Sequence, residues 1–313
     1  MAHYCPEETW QIAVSLFEET REAMRARITA NAWMSQEAKQ KSIAKLDDLV
    51  MGQLVPPGGN FDCSPLLADL KQCGTLMDAA AVNRRFYNQC MMRFTGEKLV
   101  RGNPYTLGAS DLGVLSVGGR YIPGQNLFSI GAPALSEAMC DYSSRAALLG
   151  TLGTHIGHEL SHGYDFIGAQ YDVTRSGPLF TEEGNAVFTE KAMAVADMLS
   201  RIESGNGIVL QGDKLITEAM ADLTGVTLML DLAKKEAGFD YDTFFRAFAD
   251  FYFEYEYGYD ARPDRLAGWN PHPPYHVRIN FTVAFFDEFY QAYPSVTEGT
   301  PMYIAPEDRI LVW

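Results

Sequence analysis

The feature that most constrains this chain is a pair of histidines four residues apart. The run His158-Glu-Leu-Ser-His162 places two imidazoles at positions i and i+4. On an α-helix these positions lie on the same face, so both rings can bind one metal ion. Glu159 stands beside the first ligand, where it can act on a metal-bound water. The pattern therefore predicts a helix that carries a zinc site with its own general base.

A third zinc ligand must come from elsewhere in the chain, because a catalytic zinc ion usually has three protein ligands. A later segment, Glu218-Ala-Met-Ala-Asp222, has two carboxylates on one helical face among apolar neighbours. Burying them would be costly without a metal ion or a cationic partner, and exposure to solvent is the alternative. Zinc-bound histidines usually donate their second ring N–H to a carboxylate, for which Asp222 and Asp165 are candidates.

Helical patterns fill the first part of the chain. Ser35 is a good N-cap for a second helix, and a Pro-Pro-Gly-Gly run at positions 56–59 ends that helix. We expect helices over Glu7 to Ala30, Ser35 to Leu46, Pro65 to Gln72 and Thr75 to Met92. Residues 1–95 are therefore predicted to form a helical segment that packs on a domain formed by residues 96–313, which carries the histidine motif.

The sequence changes character after residue 95. Glycines and β-formers in 113–122, a Pro123-Gly124 turn and β-formers in 126–130 predict an antiparallel hairpin. Helical patterns return over 136–200, from Asp213 onward, over 244–257 and over 279–293. The predicted fold class is mainly α, with a small antiparallel β element beside the helix of the histidine motif.

The composition is that of a soluble globular protein. The chain has 313 residues, of which 47% are hydrophobic and 21% charged, enough for one large domain or two. The formal net charge of -15 disfavours nucleic acid and anionic membranes as partners. No apolar run reaches the ~18 residues that span a bilayer, and the N-terminus lacks the basic and apolar regions of a signal peptide. We expect a soluble chain that makes no membrane contact.

The five cysteines argue against a structural zinc ribbon. They stand at positions 5, 63, 73, 90 and 140, and none forms a Cys-x-x-Cys pair. Cys63 and Cys73 are close enough in sequence to bridge a local loop. Free thiols are the alternative, and the pattern alone leaves both open.

Three ordered motifs resemble those of the neprilysin and endothelin-converting enzyme family, which are gluzincin zinc metallopeptidases. They are His158-Glu-Leu-Ser-His162-Gly-Tyr-Asp165, Glu218-Ala-Met-Ala-Asp222 and His272-Pro-Pro-Tyr-His-Val-Arg278. The segment from Ala30 to Leu46 and the final Trp313 also resemble the family. The resemblance covers nearly the whole chain and implies the catalytic lobe of a gluzincin, with a thermolysin-like fold.

The resemblance implies a role for each residue of the first two motifs. The ligands of one zinc ion per chain would be His158, His162 and Glu218. Glu159 would be the general base. Asp165 would orient His162, and Asp222 would orient His158.

The resemblance also implies which residues contact the substrate. His272 would donate a hydrogen bond to the oxyanion, and Arg278 would hold a substrate carbonyl on the leaving-group side. Without the resemblance, His272 is a loop histidine near prolines and Arg278 a surface arginine. His155 would line the pocket for the residue after the scissile bond, where an apolar residue is expected. A fourth metal ligand is the alternative for His155.

The chain departs from the family around the substrate cleft. The family's edge motif, Asn-Ala-[Tyr/Phe]-Tyr, falls at Gly118-Gly119-Arg-Tyr121, so Gly118 replaces the asparagine that clamps the peptide backbone. Substrate would still add to this edge as an extended strand at Gly118 and Gly119. The family's Cys-x-x-Trp appears as Ile310-Leu-Val-Trp313, so that disulfide cannot form. Full-length members are about twice as long and carry a helical lobe over the cleft, so we expect an open cleft, a lid lobe or a partner chain.

These features together predict a zinc-dependent endopeptidase that cuts oligopeptides with a metal-activated water and a glutamate base. A zinc exopeptidase is the alternative among enzymes. A non-catalytic zinc-binding subunit that needs a partner lobe is the alternative from another class, although the intact Glu159 argues against it. The resemblance implies an extracytoplasmic location.

Overall fold

The computed structural model describes residues 5–52, 63–92, 117–202, 209–253 and 271–313. The predicted helix break at 56–59 lies outside these ranges, as do the first residues of the predicted hairpin, 113–116, and the end of the predicted aromatic helix, 254–257. Outside residues 63–92, which contribute no residue to it, helices and a small sheet of the described chain share one hydrophobic core.

The fold is mainly helical, as predicted. The helices are α1 (Glu7–Ala30), α2 (Gln36–Asp48), α3 (Ser64–Leu70), α4 (Leu76–Met92), α5 (Arg145–Leu148), α6 (Thr154–Ser161), α7 (Glu182–Leu199), α8 (Gly212–Ala233), α9 (Tyr241–Phe253), α10 (Tyr275–Val283) and α11 (Asp287–Ala292). A π-helical turn, Leu149–Gly153, joins α5 to α6. Ser35 caps α2 as expected, because its side chain accepts a hydrogen bond from the amide of Ala38.

Three short strands form one sheet: β1 (Val50–Met51), β2 (Gly119–Ile122) and β3 (Leu127–Ile130). The predicted hairpin is present, with β2 antiparallel to β3. Its connection is a 3-10 helix, Pro123–Gln125, followed by Asn126 in the left-handed region at φ 49°. The sequence did not reveal β1, which pairs in parallel with β3, because two residues are too few to show the alternation of a strand.

Direct backbone contact between α6 and α8 forms the centre of the fold. A Cβ atom added to Gly157 would lie 2.8 Å from the Cα of Gly225, and one added to Gly225 would lie 2.6 Å from the carbonyl oxygen of Thr154. Only glycine at both positions allows the two helices to approach this closely. The crossing therefore brings the side chains on either side of it within reach of one another.

Hydrogen bonds and ring packing hold the first helix and the last residues of the chain against α8. Arg27 on α1 donates to both carboxylate oxygens of Asp231 on α8, at 2.5 and 2.6 Å, and to the main-chain oxygen of Trp313 at 3.1 Å. The ring of Trp313 packs beside that of Trp33, with 5.8 Å between ring centroids. These contacts hold α1 against the outer side of the helix that carries Glu218.

The predicted helical region 136–200 is interrupted on both sides of α6. Residues 162–181 form turns with one 3-10 helix, Gly168–Gln170. Asp165 accounts for the turns after α6, because its Oδ1 accepts hydrogen bonds from the amides of Ile167 at 2.8 Å and Gly168 at 2.7 Å. A side chain that binds nearby amides competes with the helical hydrogen-bond pattern.

Two further helix predictions were wrong in detail. The helix expected from Asp213 onward begins one residue earlier, at Gly212, with Gln211 at its N-cap position. The expected last helix, 279–293, is two helices, because Phe286 is in an extended conformation, at φ -116° and ψ 130°, which separates them. The chain turns after Val283 and starts α11 at Asp287.

The five cysteines are unpaired, so Cys63 and Cys73 form no bridge. Among the helices that the structure describes, none combines the length and apolar character needed to cross a membrane.

The glycine contact yields the first prediction. We expect Gly157→Ala to lower the free energy of unfolding by about 1–2 kcal/mol, because overpacking at the crossing outweighs the better helix propensity of alanine. Chemical denaturation measures this effect. The matched control is Gly184→Ala in α7, where a Cβ would lie 3.4 Å or more from its neighbours. An unchanged or raised stability for Gly157→Ala would contradict the close crossing.

Candidate metal centre

Three ligand atoms converge where α6 crosses α8. The Nε2 atoms of His158 in α6 and His162 at its end lie 3.2 Å apart. Glu218 on α8 places Oε2 3.2 Å from Nε2 of His158 and 3.7 Å from Nε2 of His162. The three ligand atoms lie within 4.8 Å of one another, so one ion can contact them all.

The residues fit a zinc ion. Two imidazole nitrogens that face each other repel unless a proton or a metal ion lies between them. Oε2 of Glu218 is buried and accepts no well-directed hydrogen bond from any residue in the described ranges, although imidazoles surround it. Two imidazole nitrogens and one carboxylate oxygen are also a ligand set typical of catalytic zinc. A cation between them would satisfy the carboxylate and remove the repulsion.

Two aspartates hold the outer nitrogens of the histidine rings. Asp222 Oδ1 lies 2.8 Å from Nδ1 of His158, and Asp165 Oδ2 lies 2.7 Å from Nδ1 of His162. A proton held at Nδ1 leaves Nε2 as the atom that can bind a metal. The structure therefore places both candidate aspartates beside the histidines that the family resemblance implies for them.

Asp222 is fully enclosed, and its charge is compensated by an arginine. Arg278 donates to both carboxylate oxygens, at 2.7 and 2.6 Å, and Tyr252 donates its hydroxyl to Oδ1 at 3.2 Å. Burial alone would raise the pKa of Asp222, but Arg278 and His158 hold it well below its usual range. Asp222 therefore stays ionised beside the ring that it orients.

Tyr252 was not found by reasoning from the sequence. It lies in the aromatic run of α9, where nothing distinguishes it from neighbours such as Phe251. Its position is visible only in the folded chain, where the guanidinium of Arg278 lies 4.3 Å from its ring centroid and donates to its hydroxyl at 3.3 Å. The aromatic face and the hydroxyl together hold Arg278 on Asp222.

Carboxylates surround the histidines and favour their protonated form. Burial disfavours the charged form of His158, but its interactions with the carboxylates of Asp222 and Glu218 outweigh burial and raise its pKa to about 10. Burial likewise opposes ionisation of Glu218, while His158 and His272 hold its pKa well below the usual range. The two carboxylates therefore favour a positive charge between them, which a proton on His158 or a metal cation would supply.

Glu159 lies between the metal ligands and strand β2. Its Oε1 is so close to Gly119 that a Cβ there would lie 2.5 Å from it. Its Oε2 is buried and has no hydrogen-bond partner among the described residues. Burial raises the pKa of Glu159, while the charges of His158 and His162 lower it. The carboxylate is thus available for a proton that arrives from the metal side.

A cleft of about 260 Å³ opens beside these groups. Its walls include Gly118 and Gly119 on one side and Phe251, Tyr252 and Arg278 on the other. A larger cavity of about 520 Å³ lies between α7 and α10 and contains none of the candidate metal ligands. The smaller cleft is therefore the one in which a substrate would meet the metal centre.

Two more histidines line this cleft. Nε2 of His272 lies 3.1 Å from Oε2 of Glu218, at the mouth of the metal centre. His155 is buried, and its ring centroid lies 5.5 Å from that of Phe251. Burial, together with the charges of His158 and Arg278, lowers the pKa of His155 to about 3, so its ring is neutral. His155 lies outside the group of residues whose ligand atoms converge.

Comparison with known sequences identifies a peptidase family and several relatives. A sequence model described as Peptidase family M13 matches residues 119–310. A neutral endopeptidase of Lactococcus lactis subsp. lactis is 28% identical over 295 residues, which cover 92% of this chain and 44% of the relative. Endothelin-converting enzyme-like 1 of Homo sapiens is 30% identical over 210 residues, which cover 62% of this chain and 26% of the relative.

Solved structures show the same fold. PepO from Lactobacillus rhamnosis matches with a TM-score of 0.77 and 23% identity, over 97% of this chain and 47% of that chain. Zinc metalloprotease Zmp1 of Mycobacterium tuberculosis, in complex with an inhibitor, matches with a TM-score of 0.73 and 22% identity, over 96% of this chain and 47% of that chain. The chain spans about half the length of the relatives it matches.

The protonation of the centre predicts how metal affinity depends on pH. Because His158 is protonated below a pKa of about 10, zinc must displace a proton. We expect the apparent zinc affinity to rise at least about ten-fold per pH unit between about pH 6 and 8, measured by competition with a chelator of known affinity. Calorimetry in buffers of different ionisation enthalpy should show proton release. An affinity that does not change with pH would contradict this account.

Proposed function

Because the chain belongs to peptidase family M13, we propose that it is a zinc-dependent endopeptidase that hydrolyses internal bonds of oligopeptides. The observation that carries the proposal is the convergence of His158, His162 and Glu218, with the carboxylate of Glu159 between this group and the cleft. A metal site without turnover has no need of a buried carboxylate at that position. The same observation disfavours a purely structural zinc centre.

The three ligands would hold the zinc ion, and the aspartates would keep the Nε2 atoms directed at it. A zinc ion bound there supplies a Lewis acid that polarises the peptide carbonyl and lowers the pKa of a coordinated water. Glu159 accepts the proton of the attacking water and later delivers it to the departing amine. Its burial supports this role, because a raised pKa brings the carboxyl closer to the range in which it can both take and give a proton.

His272 is proposed to stabilise the carbonyl oxygen as negative charge develops on it. Its Nε2 lies 3.1 Å from the Glu218 oxygen that faces the centre, so its ring is already at the mouth of the site. A donor placed in advance at that position stabilises the transition state more than the ground state. The side chain is partly exposed, so small movements of its loop can adjust the contact.

The substrate backbone is proposed to lie along β2. Gly118 and Gly119 line the cleft, and the missing Cβ at Gly119 is what lets the strand approach Glu159. An extended peptide that pairs with this strand brings its scissile carbonyl past the base. Arg278 is proposed to contact a substrate carbonyl from the opposite wall, with its orientation fixed by Asp222.

His155 is proposed to form a polar wall in the pocket that binds the substrate residue after the scissile bond. Its Nε2 is buried and has no hydrogen-bond partner among the described residues. A buried polar atom without a partner is costly, so a substrate side chain that hydrogen-bonds to it would gain binding energy that an aliphatic one would not. We therefore expect a preference for neutral polar side chains at this position.

The chain is further proposed to act with a lid, which is either an additional lobe or a partner chain. The support is that the chain spans about half of its relatives, while its cleft opens to the surface. An extracytoplasmic location is proposed from the family resemblance. An exopeptidase remains a rival, and mapping the products of peptide digestion for internal cuts distinguishes it from an endopeptidase.

Removing the proposed base should abolish turnover but keep the metal. We expect Glu159→Gln to lower kcat by about 10²–10⁴-fold, because the amide cannot accept the proton of water. Zinc content, measured by elemental analysis, should stay at one ion per chain. Glu183→Gln on the exposed face of α7 is the matched control and should keep full activity. Retention of most activity by Glu159→Gln would rule out its role as base.

The polar wall predicts a switch in specificity. We expect wild type to cut a peptide with Asn after the scissile bond about ten-fold more efficiently than one with the similarly shaped Leu, measured as kcat/KM. His155→Leu should reverse that order, whereas His276→Leu on the exposed side of α10 should leave it unchanged. The same order of Asn and Leu in both wild type and His155→Leu would refute the polar wall.

A further inference from the structure

A lysine side chain is buried behind the metal centre. Lys45 on α2 is only 1% exposed, and its Nζ donates to the carbonyl oxygens of Gly168 at 2.6 Å and Tyr171 at 2.7 Å. Within the described residues, no carboxylate lies at salt-bridge distance from it. Burial lowers the pKa of Lys45 to about 7, a sign of how costly its position is. Besides the two carbonyls, Nζ faces the rings of Tyr121 and Tyr164, 5.9 Å from each centroid.

The loop that Lys45 holds is the loop that fixes Asp165. The amides of Ile167 and Gly168 donate to Asp165 Oδ1 at 2.8 and 2.7 Å, and Asp165 Oδ2 lies 2.7 Å from Nδ1 of His162. Gly168 therefore links Lys45 to Asp165, since its carbonyl accepts from Lys45 while its amide donates to Asp165. The loop also folds tightly onto the end of α6, because a Cβ on Gly168 would lie 2.0 Å from the carbonyl oxygen of His162.

We propose that Lys45 is a positioning residue of the metal centre, which acts through the 165–171 loop to aim Asp165 at His162. Without the Nζ contacts, the loop is free to move its two amides away from the carboxylate. Asp165 then orients His162 less firmly, and a ligand that is less firmly oriented binds metal less tightly. The charge of Asp165 in turn favours the protonated form of Lys45, in which Nζ donates to the loop.

The main chain of Lys45 makes a separate link that a side-chain substitution leaves in place. Its carbonyl oxygen accepts from Nδ2 of Asn126 at 2.8 Å, and Oδ1 of Asn126 accepts from the hydroxyl of Tyr121 on β2 at 2.9 Å. Nζ also lies 5.9 Å from the ring centroid of Tyr121, but the hydrogen bonds through Asn126 attach α2 to the sheet without it. A change at Nζ can therefore be tested without detaching the strand that lies beside Glu159.

The test is a double-mutant cycle on zinc release from the full chain, which needs no substrate. We expect Asp165→Ala to speed zinc loss to excess chelator by about 10–100-fold, and Lys45→Met to speed it by about ten-fold. In the Asp165→Ala background, Lys45→Met should add less than about two-fold, because both changes break one path. Lys39→Met is the matched control on the same helix: Lys39 holds the carbonyl of Thr29 at 2.9 Å on the exposed surface, and its loss should leave zinc release unchanged.

Two results would overturn the proposal. One is zinc release from Lys45→Met at the wild-type rate. The other is a double mutant in which the two effects multiply, since that would place Lys45 outside the path through Asp165. If Lys45→Met does not fold, Lys45→Leu, which also lacks a donor, takes its place and is judged by the same outcomes. If neither folds, Lys45 serves the fold as a whole and the positioning role is rejected. A wild-type chain that binds no zinc would overturn the zinc centre itself, whereas absence of peptide cleavage alone would leave this proposal intact.

Discussion

The contact between Gly157 and Gly225 sets the distance between α6 and α8, on which the candidate metal centre depends. Because no side chain separates the two backbones, α6 and α8 cross closely enough for His158 and Glu218 to share one small volume. A Cβ at either position would lie only 2.8 or 2.6 Å from the facing backbone, so a larger residue would force the helices apart. The metal centre is thus a consequence of helix packing, and the residues around it adjust the protonation and orientation of its ligands.

The charges enclosed by this packing explain why the centre favours a cation. Glu218, Asp222, Glu159 and Asp165 lie close together, and Arg278 compensates Asp222 directly. Burying so many carboxylates would be costly if each were left alone. A protonated imidazole offsets part of that cost, and a zinc ion would offset more of it. Metal binding is therefore expected to stabilise the folded chain as well as to supply reactivity.

Much of the site was predictable because its signals are local or follow helical spacing. The histidine pair, the Glu218 to Asp222 pair and the α1 boundaries follow from short-range pattern, and the family resemblance is confirmed by the match over residues 119–310. The contributions of Lys45 and Tyr252 could not be predicted, since each acts through contacts between segments distant in sequence. The loop after α6 was predicted wrongly as helix, because the use of the Asp165 side chain to bind amides has no periodic signal.

The central claim is that His158, His162 and Glu218 hold one zinc ion, with the other histidines of the cleft outside the coordination sphere. Anomalous diffraction at the zinc absorption edge, from crystals of the full chain grown with zinc, tests it most directly. The account predicts one peak about 2.0–2.2 Å from Nε2 of both histidines and from a carboxylate oxygen of Glu218. No peak at the crossing of α6 and α8, or a peak coordinated by His155 or His272, would contradict it.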